Sequence, residues 1–387
     1  MHIVFFVHPI FLAHQSMPRF AKMLIEGMKE RGHNVEVLTA KNRTYKLGLG
    51  KHLKKWFGYI DQYLLFPLEV KSKLRRFPRE TLFVFTDNAL GPWVPLVADR
   101  FHVIHCHDFL AQLSAIGHIP ENKTRRLGRM YQSYIRRGYS KGKNFISVSY
   151  KTKNHLHKLL SLADRTSNVV YNGLNNFFEP FDLLNARSLL ASRTQLNLSS
   201  GYVLNVGGNQ WYKNRLGVME IYCKWRSIYK SSLPLLMIGE VPSLVLKKSW
   251  EQSLFKDDIY FLSDIEDDSL RFAYAGASLF LFPSLAEGFG WPIAEAMACG
   301  CPVITTNEEP MTEVAGNAGF LIPRRPAVQS EVEEWATKCA EVVERVITLT
   351  DEDRTTVIEK GIGNSKRFEL KLAVDSIDTL YRKIIEN

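Results

Sequence analysis

Residues 279–303 read LFLFPSLAEGFGWPIAEAMACGCPV, and this stretch decides the fold. Leu279 to Phe282 is a short run without a polar residue, as in a strand covered on both faces. The loop that follows carries Glu287-Gly288-Phe289-Gly290, and Pro292 stands where a helix should begin, since a first turn tolerates proline. Gly300, just after Ala296-Met297-Ala298-Cys299, should stop that helix before a further strand over 302–305. Strand, glycine loop and helix start together make a phosphate cradle. Backbone N–H groups and the positive end of the helix dipole face the anion, and glycine permits close approach. Two carboxylates frame it. Glu287 can reach past the phosphates toward a sugar, and Glu295, near the first turn, can accept two hydrogen bonds from a vicinal diol such as ribose. Taken alone, the pair also fits an acid at a helix start with an incidental loop acid beside it.

Outward from this stretch, strand-like and helix-like segments alternate over nearly the whole chain, which implies α/β layers around parallel sheets. A first series of strands is expected at 2–8, 35–38, 82–86, 102–106 and 144–148. A helix over 17–31 has Pro18 in its first turn and Phe20, Met23, Leu24 and Met28 on one stripe. A second series is expected at 202–206, 235–238, 259–262, 279–282 and 302–305, and the polar, irregular stretch 172–200 is the expected linker. The architecture implied is two Rossmann-like, doubly wound domains, 1–180 and 181–364, facing a central cleft where ligands meet the carboxyl ends of the strands. Residues 365–387 read as a helix returning to the first domain.

The length of 387 residues suits two domains. No apolar run approaches the ~18 residues of a membrane-spanning helix. The chain opens on the strand-like Ile3-Val4-Phe5-Phe6-Val7 without a basic leader, so no secretory signal is expected. Five cysteines, odd in number and without zinc-ligand spacing, read as reduced thiols of a cytoplasmic protein. The net charge of +10 is concentrated in the N-terminal half. Residues 41–79 hold eleven Lys/Arg against Asp61 and Glu69, and residues 121–143 hold eight against Glu121, so the remainder is net negative.

The 279–303 segment resembles the E-x7-E signature of retaining glycosyltransferases of the GT-B fold, the family-4-type group. Pro283-Ser284 precedes the first Glu, and Glu313-Val314-Ala315-Gly316 and Ala318-Gly319 follow the second. Further matches are Val206-Gly207-Gly208 with Lys213-Asn214, His105-Cys106-His107-Asp108, Ser147-Val148-Ser149 and Tyr171-Asn172-Gly173, all in family order. The resemblance implies an acceptor-side N-terminal domain and a nucleotide-sugar-binding C-terminal domain. By matching position, Glu287 would contact the transferred sugar, and Gly288, Phe289 and Gly290 would present amides to the pyrophosphate. Glu295 would hold the ribose, while Gly208, Lys213 and Asn214 would lie at the leaving diphosphate. His107 follows strand 102–106 where the family places a cleft-facing histidine, although a lone histidine is often structural. His118 is a second choice, because the family's Thr-x-His run is absent there.

Two departures stand out. Many relatives carry Arg five residues before the phosphate-binding Lys, where this chain has Gly208; Arg215 is a candidate substitute. The first loop, His8 to Ser16, lacks the usual Gly-Gly pair and leaves His14, Gln15 and Ser16 as candidate contacts of the N-terminal domain. No metal or other cofactor is expected. The Asp-x-Asp match at Asp351-Glu352-Asp353 follows Thr350 and reads as a capped helix start, and Asp267-Asp268 reads likewise.

Residues 51–77 mix Lys and Arg with Trp56, Phe57, Tyr59, Tyr63, Leu64, Leu65 and Phe66. The pattern fits a helix lying in a membrane interface and drawn to anionic lipid. It equally fits a helix packing its apolar face on the N-terminal sheet with a solvated basic side. No nucleic-acid-binding motif accompanies it. The function implied is transfer of a hexose-type sugar from a UDP-, GDP- or ADP-sugar to a glycan or lipid-linked acceptor, in cell-surface polysaccharide or glycolipid assembly. The location implied is the cytoplasm, with the inner face of the membrane as a docking surface on the first reading of 51–77. A non-catalytic sugar-nucleotide- or glycan-binding relative, or a GT-B epimerase or phosphorylase, is the alternative.

Overall fold

Ile3, Val4, Phe5 and Phe6 are all fully buried, as a strand with helices on both faces requires. The computed structural model describes residues 1–12, 16–161 and 163–386, with the side chains of Ser16 and Lys51 outside that description. The chain divides into two compact units, Met1–Tyr171 with Lys371–Asn387, and Asn172–Leu370.

The first unit holds β1 (His2–Phe6), β2 (Asn34–Leu38), β3 (Leu82–Phe85), β4 (His102–Cys106), β5 (Asn144–Ser147) and β6 (Thr166–Val169). They run parallel in the order β2-β1-β3-β4-β5-β6, with Ile3 opposite both Val35 and Leu82. The second unit holds β7 (Val203–Val206), β8 (Leu235–Ile238), β9 (Ile259–Leu262), β10 (Leu279–Phe282), β11 (Val303–Thr306) and β12 (Phe320–Ile322). Their order is β12-β11-β10-β7-β8-β9, again all parallel. Each sheet is Rossmann-like and doubly wound. Strand order reverses between β1 and β3 in one sheet and between β7 and β10 in the other, and a crevice opens at the carboxyl ends on either side of such a switch.

Each unit has its own core. In the first, Phe6 stacks on Phe85 at 4.6 Å, Phe66 lies 4.4 Å from Trp93, and the Trp93 indole donates to Gln62 O at 2.8 Å. In the second, helices Arg215–Tyr229 and Val332–Ile347 cover one face, pinned by the Trp225 indole donating to Glu344 Oε2 at 2.7 Å. The final helix, Leu370–Glu386, belongs mostly to the first unit. It buries Ala373, Val374, Ile377 and Tyr381 there, and pairs Asp375 with Arg31 and Asp378 with His33.

Three expectations need correction. The stretch 172–200 is not an irregular linker: Leu183–Thr194 is a helix, capped by Asp182, whose carboxylate accepts from Asn185 N at 2.8 Å. Only Ala186 and Leu190 are buried along it, too narrow a stripe to show as periodicity. The unit boundaries fall at 171/172 and 370/371 instead of 180/181 and 364/365. Leu174 and Phe178 are already buried, and Leu174 N donates to Phe368 O at 2.6 Å within the second unit. The edge strands β6 and β12 lie outside the expected series.

Candidate functional site

The site is built on the switch point of the second sheet, from the loops after β7 and β10. Thr305 and Thr306, at the end of β11, steady the β10 loop by donating to Phe282 O at 2.9 Å and Ser284 O at 2.8 Å. The loop ends at Gly290, whose φ of 106° lies in the left-handed region that favours glycine, and the helix Trp291–Ala298 starts there with Pro292 in its first turn. Phe289 is buried edge-on against Phe368 at 5.3 Å, so the loop offers a ligand its backbone and not the ring. The first turn of a helix has N–H groups with no intrahelical partner, which suits it to anions.

Glu295 lies one turn into this helix and is buried. Its Oε2 accepts from the Tyr274 hydroxyl at 3.0 Å, which fixes the carboxylate's orientation from the neighbouring helix Asp267–Gly276.

Lys213 and Glu287 meet. After β7 the chain makes a short turn over Trp211–Lys213 and enters helix Arg215–Tyr229 through Asn214, a left-handed residue with φ of 51°. The Asn214 side chain caps that helix, accepting from Gly217 N at 3.3 Å, and donates to Pro283 O at 2.8 Å. Leu285 N donates to Tyr212 O at 2.7 Å. Together these bonds tie the β7 loop to the β10 loop. Lys213 Nζ then reaches Glu287 Oε1 at 2.8 Å, above the Phe282 ring at 5.2 Å. The lysine side chain is 16% exposed and the glutamate 8%, so the pair is shielded from bulk solvent.

The space beside Gly208 is taken by an acid. A Cβ at that position would stand 2.8 Å from Glu240 Oε1 and 2.6 Å from Gln210 Oε1. Glu240 follows β8 and accepts from Asn209 N at 3.0 Å and from Gln210 Nε2 at 3.2 Å. Close approach of the two strand ends requires Gly239, where a Cβ would meet Gly207 O at 2.2 Å. Arg215 does not extend to Lys213: its Nη1 donates to Asn209 Oδ1 and Glu240 O, and its guanidinium lies over Phe261 at 5.6 Å. It braces the loops after β7 and β8.

In the first unit, His107 follows β4 and is buried, with Nε2 donating to Thr86 O at 2.9 Å and the ring edge-on to Phe20 at 4.3 Å. A carbonyl only accepts, so Nε2 carries the proton; burial pushes the ring's pKa down and keeps it neutral. A second pair lies at the switch between β1 and β3, where His8 Nε2 meets Asp87 Oδ2 at 2.8 Å. Burial pushes the Asp87 carboxyl up, but its bond to His8 and the histidine's charge outweigh this and hold it below the usual carboxylate range. His118 is exposed on the turn after helix Leu110–Ala115. His14, Gln15 and the Ser16 side chain lie outside the described residues.

Residues 201–345 match the family described as glycosyl transferases group 1, and residues 17–176 match glycosyltransferase family 4. The chain belongs to the family-4-type glycosyltransferases of the GT-B fold. It is similar to O-antigen chain mannosyltransferase B of Escherichia coli, 35% identical over 123 residues, 31% of this chain and 32% of that protein. It is also similar to O-antigen chain mannosyltransferase RfbU of Salmonella typhimurium, 25% identical over 182 residues, 46% of each chain. The matched region thus spans a third to a half of these relatives. Among solved structures, Anabaena Alr3699/HepE in complex with UDP and glucose superposes with a TM-score of 0.70 at 17% identity, over 98% of this chain and 99% of that one. WaaG, a glycosyltransferase involved in lipopolysaccharide biosynthesis, gives 0.69 at 16%, over 97% and 98%. At these identities the likeness concerns the fold.

For a family-4-type glycosyltransferase, sequence reasoning supplied the E-x7-E acids and Lys213 but missed three groups that hold or fill the sites. Tyr274 sits 21 residues before its partner Glu295. Glu240 and the His8–Asp87 pair likewise depend on strand ends being neighbours, which no local spacing reveals. Among the described residues no group of three or more His, Cys, Asp or Glu is placed to hold a metal ion. Asp351-Glu352-Asp353 opens helix Asp351–Ser365, with Thr350 Oγ1 accepting from Asp353 N at 3.1 Å. Among the described residues no helix is long and apolar enough to cross a membrane.

Proposed function

We propose that the chain is a retaining, metal-independent hexosyltransferase that takes its sugar from a nucleoside-diphosphate donor and passes it to a glycan or lipid-linked acceptor. The observation that carries this reading is the meeting of Lys213 and Glu287 beside the start of helix Trp291–Ala298. As the anomeric C–O bond breaks, negative charge grows on the diphosphate and positive charge on the sugar. The helix start and Lys213 are suited to the first, and the Glu287 carboxylate to the second. Glu295, oriented by Tyr274, is suited to the ribose hydroxyls. With these groups in place the phosphates need no divalent cation.

The retained stereochemistry is what the E-x7-E pattern implies. The names of the bacterial relatives support mannose as the sugar and a polysaccharide of the O-antigen kind as the product. A thermal-shift screen across UDP-, GDP- and ADP-sugars, mannosyl donors included, tests the reading. The matching donor raises the melting temperature, because it binds only the folded state. No shift with any of them, and no donor hydrolysis, would refute it. The anomeric configuration of the product, read by NMR, tests retention separately.

A further inference from the structure

The helix that opens at Gly50 has two apolar faces, and the fold covers one. It runs as Gly50–Ile60, a π-helical turn over Asp61–Leu65, then Phe66–Leu74. Phe66 and Val70 enter the core, which satisfies the plain amphipathic reading. That reading leaves Leu53, Trp56, Ile60, Leu64 and Leu68 unexplained: all are exposed, Trp56 by 61%, at steps of three or four residues. Four residues of α-helix overshoot a full turn, so such a row would wind round the helix. The wider π turn offsets that drift. The turn is anchored by buried Asp61, which accepts from Thr44 N and Tyr45 N, each at 2.8 Å.

A second helix, Arg126–Tyr139, widens the face. Leu127, Met130 and Tyr134 are exposed along it, and it is joined to the first through Tyr63 and Tyr131, whose hydroxyls are 2.6 Å apart. Exposed Lys54, Lys55, Arg126, Arg129 and Arg137 accompany the row, and none has an ion-pair partner among the described residues. Single exposed leucines are ordinary, but exposed apolar residues recurring along two joined helices mark a docking surface. Tryptophan and leucine bordered by unpaired lysine and arginine suit the interface of an anionic bilayer. A second copy would set this basic surface against its like.

We propose that helices 50–74 and 126–139 form a membrane-docking face, with Leu53, Trp56 and Leu64 entering the acyl boundary of an anionic bilayer. The proposal rests on this surface and not on the donor site. Flotation with vesicles of phosphatidylcholine, with and without a minority of phosphatidylglycerol, tests it. The protein should float with the anionic vesicles and much less with the neutral ones. Replacing Leu53, Trp56 and Leu64 together by Ser should lower partitioning at least roughly tenfold, even at low salt. Replacing Lys54, Lys55, Arg126 and Arg129 by Gln should lower it by up to about several hundred-fold, as should raised salt, because each basic residue near the surface contributes about fivefold. Brominated lipid should quench a tryptophan signal that Trp56→Phe removes. Unchanged thermal melting and nucleotide affinity in both multiple variants keep loss of docking distinct from misfolding or a failed donor site. Flotation with neither vesicle, undiminished flotation of the Ser variant, or a concentration-dependent dimer that the Ser variant dissolves would overturn the proposal.

Discussion

Glu287→Gln separates two roles that the Lys213–Glu287 contact combines. The carboxylate accepts from Lys213 Nζ at 2.8 Å in a largely buried setting, and a hydrogen bond to a charged group there contributes about 1.5–3 kcal/mol. A diphosphate oxygen that takes Lys213 competes with that bond. Glutamine keeps an amide oxygen at nearly the same place, worth about 0.5–1.5 kcal/mol to the lysine, so the competition weakens by about 1–1.5 kcal/mol. Affinity for the bare nucleoside diphosphate should therefore rise, by up to about tenfold. Turnover should fall by about 10²-fold or more, since the group facing the developing positive charge on the sugar has been neutralised. Lys213→Ala removes the cation, and should weaken the same nucleotide by about 10–150-fold. The assay is calorimetry with the matching diphosphate, beside donor hydrolysis, on variants whose thermal melting shows them folded. If Glu287→Gln weakens nucleotide binding as Lys213→Ala does, Glu287 holds the nucleotide and not the sugar. If turnover is unchanged, it holds neither.

Glu295→Ala should weaken nucleotide binding by about 10–150-fold, and Tyr274→Phe by less, since it frees the carboxylate without removing it. In the Glu295→Ala background the tyrosine change should add almost nothing, and an additive loss in calorimetry would place Tyr274 outside the ribose site. Transfer should survive EDTA; abolition by the chelator with rescue by Mg²⁺ or Mn²⁺ would contradict the electrostatic role given to Lys213 and the helix start. Burial, aided by the neighbouring His107, pushes His105 down to about 3, whereas an unfolded histidine titrates near ~6.5. Between those values the unfolded chain binds the extra proton, so this contribution to stability is full above about pH 6.5 and should fall by about 2 kcal/mol at pH 5. Urea unfolding at the two pH values measures it, and His105→Asn should flatten the slope by that amount.

How much of the fold is legible depends on burial. Most of the ten strands legible in the sequence are short, largely apolar segments bounded by turn signals, as in Leu279–Phe282 and Leu235–Ile238, where every position is buried. The two that escape lie at sheet edges, as do β2 and β9, and they carry less signal than those. Thr166–Val169 is an edge strand with no fully buried residue, and Phe320–Ile322 is three residues long with only Ile322 buried. An edge strand faces solvent along one side and on part of its surface, so selection for apolar side chains is weak there. The helix Leu183–Thr194 was missed for the same reason: two buried residues do not make a stripe.

The candidate site obeys a different logic. Glu287, Gly290 and Glu295 lie in one continuous strand-loop-helix unit, so their spacing in the chain is their spacing in space, and sequence displays it. Lys213 lies 74 residues before Glu287, and only the β10-β7 pairing brings the two loops together. A motif can place each residue in its own loop, but the ion pair belongs to the sheet order. The same holds for the departure at Gly208. In the sequence it is a missing cation, and in the fold its place is filled by Glu240 from the end of β8. A carboxylate there would repel the phosphates of the proposed donor unless its charge were held by other groups. Asn209 N and the Gln210 amide do this, while Arg215 grips the neighbouring carbonyl. Had an arginine stood at 208, its side chain would have required Glu240 to move. Glycine at 208 leaves the Glu240 carboxylate room to stay where Asn209 and Gln210 hold it.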